Sequence, residues 1–418
     1  MDVNAKQTYQ YGLIGEKLGH SFSKVVHEKL ADYCYDLIEI QKDELDRFVK
    51  KRAFHAINVT IPYKETVIPY LDFIDENAKA IGAVNTIVNQ NGKLYGYNTD
   101  FAGFLYTLDV NQISLSNKVV LIMGSGGTCK TVLAVAKSQN AKEILIASRT
   151  KSEDTISYDE ALNRKDIKVI INASPKGMYP SNDERSIDLS GFPNLEAVVD
   201  VIYNPLQTRL LQQAKQLQIK HANGLLMLVA QAKFAVEYFL DKQINNNKIN
   251  EIYDEIKASL SNIVLVGMPS CGKTILGKKL ARVLNRELVD IDAVIKDRTQ
   301  MTIEEIFKQN GEDSFRKLEI DITAEFAKKN SLVISTGGGV IKNSINIFNL
   351  QQNGVIVFID RPIESLLIGN GRPLSNSSEQ IAKLYQERYQ TYLDSSDFQV
   401  LNDCSIEDAL RKLQQIVQ

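Results

Sequence analysis

The chain has 418 residues, of which 44% are hydrophobic and 24% charged, with a formal net charge of −2. This length predicts two or three domains. The net charge is close to zero, so the chain lacks the excess of basic residues that is typical of proteins binding nucleic acid or membrane surfaces. No apolar run reaches membrane-spanning length, residues 1–20 lack the apolar core of a signal peptide, and the four cysteines lack metal-like spacing. We therefore expect a soluble, cytoplasmic protein that binds small molecules, with no nucleic-acid or membrane partner. Whether it forms an oligomer stays open.

The first 110 residues alternate short apolar segments with polar clusters. Strands are predicted at Tyr11–Gly15, Tyr35–Ile40 and Ala53–Thr60, with helices at Lys24–Tyr33 and Lys42–Lys51 between them. Polar clusters at the ends of such segments are typical of ligand sites in α/β folds. There are four of them: Ser21 with Ser23, Thr60 with Lys64, Asn85 with Thr86, and Asn98 to Asp100. The two serines stand at a helix start, where a hydroxyl caps the helix or binds an anion, and capping is the default interpretation.

Together, in this order, the four clusters resemble the substrate lobe of shikimate dehydrogenases. The resemblance implies substrate contacts to the carboxylate from Ser21 and Ser23 and to ring hydroxyls from Thr60, Asn85 and Asp100. It also implies that Lys64 and Asp100 form a catalytic pair. The chemistry agrees, because hydride transfer to a ketone develops negative charge on oxygen and needs a positioned acid.

The middle of the chain has the pattern of a dinucleotide-binding lobe. A predicted buried strand, Lys118–Met123, runs into Gly124, Ser125, Gly126 and Gly127 and then into an apolar helix. This is a loose match to the dinucleotide fingerprint and is weak by itself. The next strand, Glu143–Ala147, ends in Ser148, Arg149 and Thr150. An Arg at this place accommodates the 2′-phosphate of NADP, whereas NAD-binding units usually have an acid there.

Three later segments, Val169–Met178, Asp200–Pro205 and Asn223–Ala232, also resemble shikimate dehydrogenases in their usual order. The resemblance implies that Tyr203 binds the substrate carboxylate and Gln231 a ring hydroxyl. It implies cofactor contacts from the residues of the glycine loop and of three further loops: Gly124, Gly126, Gly127, Ser148, Arg149, Thr150, Asn172, Ser174, Met178 and Gly224. The family commonly has Arg at the position of Lys130 and Asn at that of Ser148. Lys keeps the charge but lacks the planar fork, so the preference for NADP is weakened slightly.

A polar stretch, Lys242–Ser259, predicts a linker between two larger parts of the chain. The predicted domains are a substrate lobe at 1–110, to which the helix around 225–241 returns, and a Rossmann NADP lobe at 111–241. The linker follows at 242–260, and a second enzyme domain occupies 261–418.

That last domain opens on a P-loop, Gly267-Met268-Pro269-Ser270-Cys271-Gly272-Lys273-Thr274. Asn262–Val266 precedes it as a predicted buried strand, and Leu276–Leu284 follows with helical periodicity. The glycines Gly267 and Gly272 let backbone N–H groups turn onto phosphate at a helix N-terminus. Lys273 is expected on the β- and γ-phosphates and the Thr274 hydroxyl on Mg²⁺. The domain is therefore expected to bind ATP with Mg²⁺.

Beyond the P-loop, Leu288–Asp292 is predicted as a strand with two carboxylates two residues apart. The two share one face if the strand includes Asp292, and the alternative is that Asp292 lies in the loop at the strand end. Further motifs are Gly311–Glu319, Val333–Gly339, Gly371–Leu374 and a helix that contains Arg388. This constellation resembles shikimate kinases over residues 262–418.

The resemblance assigns Mg²⁺ to Asp290 and proton acceptance from the substrate hydroxyl to Asp292. It implies that Arg316 and Arg388 bind the substrate carboxylate and that Gly338 and Gly339 let the backbone approach the substrate closely. It also implies that Arg372, on a lid, stabilises the transferring phosphoryl group. The lid, Glu364–Arg372, is a few residues shorter than usual and lacks one basic residue.

The expected fold is α/β throughout: a substrate lobe, a Rossmann lobe and a P-loop domain of the nucleoside monophosphate kinase type with a parallel sheet. The expected function is bifunctional. NADPH would reduce 3-dehydroshikimate to shikimate, and ATP would phosphorylate shikimate to shikimate 3-phosphate. Two alternatives stay open. One half could be a catalytically inactive shikimate- or quinate-binding sensor, or the dehydrogenase could prefer quinate or NAD.

Overall fold

In a computed structural model of the chain, the structure describes residues 9–19, 21–150, 153–185, 187–366 and 377–417. Contacts divide the chain into two compact units, Met1–Asn204 with Thr208–Glu255 and Pro205–Gln207 with Ile256–Gln418. The first unit holds two sheets and the second unit one sheet. None of the described helices has the length and apolar character to cross a bilayer.

The first sheet is six-stranded and mixed, in the order β2-β1-β3-β5-β6-β4. Its strands are β1 Tyr9–Gly15, β2 Tyr35–Glu39, β3 Phe54–Val59, β4 Phe73–Ile74, β5 Thr86–Gln90 and β6 Lys93–Tyr97. β1 runs parallel to β2 and β3, whereas β5 runs antiparallel to β3 and β6. Asn91 and Gly92 join β5 to β6 with φ of 53° and 82°, so the two strands form a hairpin with a two-residue turn that needs positive φ.

Four helices accompany this sheet: α1 Ser23–Leu30, α2 Leu45–Lys51, α3 Glu76–Ile81 and α4 Thr99–Val110. One core of the sheet gathers Ile14, Ile57, Val84 and Ile87 from its strands and the segments beside them. The other core contains Leu13 and Ala56 together with Phe239, which comes from a helix much later in the chain.

The second sheet is five-stranded and parallel, in the order β11-β10-β9-β7-β8. Its strands are β7 Val119–Met123, β8 Glu143–Ala147, β9 Ile167–Asn172, β10 Ala197–Asp200 and β11 Lys220–Ala222. Its helices are α5 Gly127–Ser138, α6 Tyr158–Asn163 and α7 Arg209–Gln216. All five residues of β7 are buried because apolar clusters cover both faces of the sheet. The strand order reverses beside β7, and this is where open α/β sheets bind ligands.

Helix α8, Leu225–Leu240, follows the second sheet and packs against α4, α1, β3 and β5 of the first lobe. Ten of its residues are buried, among them Ala235 and Val236. Helix α9, Asn247–Leu260, comes next.

The third sheet is five-stranded and parallel, in the order β13-β14-β12-β15-β16. Its strands are β12 Asn262–Val266, β13 Glu287–Asp290, β14 Leu332–Ser335, β15 Gly354–Asp360 and β16 Phe398–Leu401. Its helices are α10 Lys273–Leu284, α11 Ile291–Thr299, α12 Ile303–Ala327, α13 Ser344–Asn353, α14 Ser378–Ser395 and α15 Ile406–Val417. The central strand β12 leads directly into the P-loop, and the parallel-sheet prediction is confirmed.

The strand predicted at Leu288–Asp292 is wrong at its C-terminal end. Strand β13 ends at Asp290, and Asp292 lies in the first turn of α11. The reason is local: the Asp290 side chain accepts the backbone N–H of Ala293 at 3.2 Å and so caps a helix. The two carboxylates therefore do not share the face of a strand.

Candidate active sites

The first unit contains a cavity of about 670 Å³ between its two lobes. Many of the residues predicted for substrate and cofactor line it together: Ser21, Ser23, Thr60, Lys64, Asn85, Asp100, Met178, Tyr203, Gly224 and Gln231. These residues come from seven separate segments of the sequence, so the fold assembles the set.

Lys64 and Asp100 form an ion pair in this cavity, with Nζ 2.6 Å from Oδ2. Lys64 lies in the turn after β3, and Asp100 lies in the first turn of α4, behind the cap made by Asn98. The side chains are 21% and 13% exposed, so both still reach the cavity. The positive end of the helix dipole favours the Asp100 carboxylate, which holds the Lys64 ammonium in place.

A buried hydrogen-bond network positions Asn85 and Gln231. The Asn85 Oδ1 accepts the backbone N–H of Thr99 at 2.7 Å, and its Nδ2 donates to Thr99 Oγ1 at 3.0 Å. Thr99 Oγ1 in turn donates to Gln231 Oε1 at 3.5 Å. Thr86 joins the network through its own hydroxyl, 3.0 Å from Asn85 Oδ1. The sequence analysis placed Thr86 and Thr99 in two of the polar clusters but assigned neither of them a role.

The N-cap of helix α1 is Phe22, so neither serine stands at the cap position itself. The capping expectation holds only for Ser21, which bonds the first N–H of the helix. Ser21 Oγ accepts the backbone N–H of Ser23 at 3.2 Å. Tyr203 meets Phe22 edge-on, with ring centroids 6.1 Å apart, and burial raises the pKa of its hydroxyl. The tyrosine therefore stays a hydrogen-bond donor at neutral pH.

The glycine loop after β7 leaves room for a dinucleotide. Gly124 has φ of 103°, which favours glycine, and a Cβ there would lie 3.0 Å from Ser174. At Gly126 and Gly127 a Cβ would meet nothing within 4 Å, and these two residues begin α5. An open backbone turn at a helix N-terminus is what a pyrophosphate requires. The residues present therefore fit NADP.

Ser148, Arg149 and Thr150 follow the neighbouring strand β8. Ser148 Oγ lies 3.4 Å from Ser125 Oγ of the glycine loop, and Arg149 and Thr150 are exposed beside it. The structure thus brings together the two loops expected to hold the adenosine end of the cofactor.

Asn172, by contrast, is 1% exposed and supports its own loop. Its Oδ1 accepts from Ser174 Oγ at 2.7 Å, and its Nδ2 donates to Asp200 at 2.9 Å. Gly224 donates its N–H to Ile202 at 3.0 Å, and a Cβ there would lie 1.9 Å from the oxygen of Val201. That position therefore requires glycine.

Asp200 is a buried carboxyl that sequence reasoning did not assign. It accepts hydrogen bonds from Asn172 Nδ2, from the Ile202 N–H at 3.1 Å and from Thr208 Oγ1 at 2.7 Å. Burial raises its pKa to about 7, and the three donors offset only part of that effect. Asp200 ties the loop after β9 to the loop after β10, which carries Tyr203.

In the second unit the P-loop has a backbone suited to phosphate. Gly267, Ser270 and Gly272 have φ of 147°, 65° and 102°, and such positive φ values permit the tight turn of a phosphate-binding loop. A Cβ at Gly267 would lie 2.5 Å from the oxygen of Ile359. Lys273 is 8% exposed, and its Nζ donates to the carbonyl oxygens of Gly267 at 2.8 Å and Met268 at 2.9 Å.

Thr274 and Asp290 meet at the edge of the P-loop. Thr274 Oγ1 donates to Asp290 Oδ2 at 2.8 Å, and Ser335 Oγ donates to the same oxygen at 3.1 Å. No group of three His, Cys, Asp or Glu side chains forms a metal cage within the described part of the chain. An oxygen-only pair of one hydroxyl and one carboxylate fits Mg²⁺, which keeps several waters and binds substrate phosphates. Ser335 is a partner that sequence reasoning did not assign.

The residues predicted for shikimate converge on the glycine turn after β14. A Cβ at Gly337 would lie 2.8 Å from Asp292 Oδ1, and a Cβ at Gly339 would lie 2.5 Å from Arg316 Nη1. Arg388 Nη1 donates to the carbonyl oxygen of Gly338 at 2.9 Å. Asp292, the two arginines and the glycines therefore share one site.

Two carboxylates hold Arg316 in that site. Its Nη2 lies 3.0 Å from Glu312 and its Nη1 2.8 Å from Glu319. Glu319 is fully buried, and this burial raises its pKa although Arg316 opposes the effect. Sequence reasoning did not assign Glu319 a role. Arg372 and the glycines of the predicted lid lie outside the described residues.

The chain matches models of two known protein families. The family model described as shikimate dehydrogenase substrate binding domain matches residues 13–87, and the model described as shikimate kinase matches residues 269–418. These matches favour two enzymes over the alternative of an inactive sensor.

Three known proteins are similar to this chain over the length of a shikimate dehydrogenase. The NADP⁺ shikimate dehydrogenase of Clostridium beijerinckii is 38% identical over 259 residues, 58% of this chain and 96% of the relative. A chorismate mutase/shikimate 5-dehydrogenase fusion protein from Clostridium acetobutylicum superimposes with a TM-score of 0.57 at 38% identity, over 60% of this chain and 97% of that one. The shikimate 5-dehydrogenase of Thermus thermophilus in complex with NADP(H) and shikimate gives 0.54 at 26% identity, over 59% and 99%. The chain therefore belongs to the shikimate dehydrogenase family, carries a shikimate kinase domain in its C-terminal part, and is a bifunctional enzyme of the shikimate pathway.

Proposed function

We propose that the first unit reduces 3-dehydroshikimate to shikimate with NADPH at the Lys64–Asp100 pair. The second unit then phosphorylates shikimate with ATP at Asp292. The observation that carries the first assignment is the 2.6 Å contact between Lys64 and Asp100 in a cavity that Ser21, Ser23 and Tyr203 also line. The three hydroxyls suit a substrate carboxylate, and the ion pair suits a substrate carbonyl.

In the dehydrogenase, bound NADPH supplies a hydride to the carbonyl carbon of the substrate. Lys64 gives a proton to the oxygen as negative charge develops there, so the C=O bond becomes C–OH. Asp100 holds the Lys64 ammonium in its orientation through the 2.6 Å ion pair. Asn85 and Gln231, locked through Thr99, hold the ring hydroxyls so that one carbonyl is presented to the ammonium.

In the kinase, ATP supplies the phosphoryl group. Asp292 accepts the proton of the attacking hydroxyl, while Arg316 and Arg388 bind the substrate carboxylate. Lys273 leaves its two carbonyl partners to neutralise phosphate charge, and Thr274 with Asp290 holds Mg²⁺. Arg372 is proposed to contact the transferring phosphoryl group from the lid.

The test combines 3-dehydroshikimate, NADPH, ATP and Mg²⁺ with the full chain and follows NADPH consumption and shikimate 3-phosphate by mass spectrometry. Lys64→Ala is expected to leave NADPH unused. Lys273→Ala is expected to consume NADPH and accumulate shikimate. The matched controls Lys79→Ala and Lys278→Ala change exposed lysines and are expected to behave as wild type.

Other outcomes separate the alternatives. If wild type consumes NADPH but accumulates shikimate, the kinase assignment fails. If the first unit oxidises quinate more efficiently than shikimate, its proposed substrate is wrong. If it uses NADH more efficiently than NADPH, its proposed cofactor is wrong.

We also propose a cytoplasmic location and no nucleic-acid partner. The near-neutral charge of the chain and its four free cysteines support this proposal. Fractionation of cells that produce the enzyme, with both activities assayed in each fraction, tests the location.

A further inference from the structure

A second cavity of the first unit, of about 520 Å³, borders the helix turn that carries Asp100. Asn98, Thr99 and Phe101 line this second cavity, whereas Asp100 between them lines the substrate cavity. Its volume lies within the range of small-molecule sites, roughly 300–1,000 Å³. None of the roles proposed above uses this space.

The ionisable groups that line the second cavity are mostly acidic. They are Asp75, Glu237 and Asp241, with Lys242 as the one lysine among the lining residues. Glu237 is paired with Lys233 at 2.6 Å, and Asp75 caps α3 through backbone N–H groups. Asp241 has no ion-pair partner among the described residues. A carboxylate is therefore available to a positively charged ligand.

Aromatic rings form the apolar wall. Tyr97 and Tyr238 stack with centroids 3.9 Å apart, and Tyr238 is 42% exposed at the cavity. The Lys233 ammonium already lies 4.6 Å from the ring centroid of Phe234, which is also a lining residue. Burial raises the pKa of both tyrosines, and the negative charge of Asp75 adds to the effect in each. The wall thus combines ring faces with a negative field, a combination that favours organic cations.

We propose that the second cavity binds a small organic cation, an ammonium or guanidinium group on a flat apolar body, and that the occupant alters substrate binding in the dehydrogenase. The charged group pairs with Asp241, and the body lies against Tyr238. This site is additional to the proposed catalytic function, and binding to it does not depend on that function.

The link to catalysis runs through two shared helices. Thr99 lines the second cavity and also donates its N–H to the substrate-cavity residue Asn85 at 2.7 Å. Helix α8 carries Gln231 on the substrate cavity and Tyr238 on the second cavity. A ligand that contacts Tyr238 and Asp241 therefore touches the helix that carries Gln231, and it occupies a cavity bordered by Thr99, the partner of Asn85.

The probe is 2-phenylethylamine, which is cationic at pH 7.5, and 2-phenylethanol is its neutral counterpart. Binding to the full-length enzyme is measured by saturation-transfer NMR, and the KM for 3-dehydroshikimate is measured with and without the amine. The test variants are Asp241→Asn, which keeps a residue tolerant of the φ of 50° found there, and Tyr238→Leu. The control is Asp109→Asn at the other end of α4, which is exposed and outside both cavities.

The amine is expected to bind wild type and Asp109→Asn alike and Asp241→Asn about three- to tenfold more weakly. The alcohol is expected to bind much more weakly than the amine. The amine is expected to shift the KM of wild type at least about twofold and that of Asp241→Asn less. Equal binding of amine and alcohol, or undiminished binding to both test variants, overturns the site. Binding without any change of KM overturns the link to catalysis.

Discussion

Lys64 and Asp100 are separated by 36 residues in the chain, yet Lys64 Nζ lies 2.6 Å from Asp100 Oδ2. We expect Asp100→Asn to lower kcat for 3-dehydroshikimate reduction by about 10²- to 10³-fold, because the neutral amide cannot form the ion pair that orients the lysine ammonium. The kinase activity of the same chain serves as an internal reference. Asp109→Asn, at the far end of the same helix, is expected to leave both activities unchanged. A loss in Asp100→Asn confined to KM would contradict a catalytic role.

Asp290 and Asp292 are neighbours in sequence but face different partners, so their variants are expected to differ. Asp290 accepts a hydrogen bond from the Thr274 hydroxyl. An asparagine at position 290 can still cap α11, but it lacks the negative charge of the carboxylate. We expect Asp290→Asn to weaken the response of the kinase to Mg²⁺ by about tenfold, with partial rescue at high Mg²⁺. Asp292→Asn is expected to lower kcat at least about 10²-fold at every Mg²⁺ concentration. Identical Mg²⁺ profiles for the two variants would show that the roles are assigned wrongly.

Arg149 is exposed at the end of β8, beside the glycine loop. We expect Arg149→Ala to lower kcat/KM for NADPH by about 10- to 100-fold, the value of a charge-assisted contact to phosphate. The same parameter for NADH is expected to change little, because NADH lacks the 2′-phosphate. Lys142→Ala, another exposed cation of this lobe, is the control. An equal loss with both cofactors would argue against a phosphate contact.

His27 is fully buried, with Nδ1 2.8 Å from the Tyr33 hydroxyl, and its Nε2 has no hydrogen-bond partner among the residues that the structure describes. Burial lowers its pKa to about 3, so the folded protein resists a proton that the unfolded chain accepts near pH 6.5. The contribution of neutral, buried His27 to the free energy of unfolding is therefore fully present above pH 6.5. This contribution is lost as pH falls from 6.5 towards 3, by on the order of 1 kcal/mol per pH unit.

The measurement for His27 is hydrogen exchange of peptides from α1, compared at each pH with His27→Phe. The wild-type segment is expected to lose protection relative to the variant as pH falls from 7 to 5. Parallel behaviour of the two proteins would mean that His27 does not carry this acid sensitivity.

Most of the secondary structure was predictable because the local patterns are strong. The alternation of buried strands with helices, the Gly92 hairpin and the strand before the P-loop all follow from apolar runs and turn residues. The error in secondary structure, at Asp292, arose because Asp290 both ends the strand and caps the next helix, so that Asp292 lies in the first turn of that helix. The Asp290 side chain makes this cap by accepting the backbone N–H of Ala293.

The sequence by itself determined which residues are proposed as reacting groups, since the P-loop motif and the resemblance to two families point to a lysine, two carboxylates and a P-loop lysine. Only the tertiary structure decided how those groups are supported. Glu319 holding Arg316, Asp200 joining two loops, Thr99 linking Asn85 to Gln231, and the second cavity all depend on contacts between distant segments. Such contacts leave no periodicity or spacing in the chain, because they arise from packing between elements and not within one element.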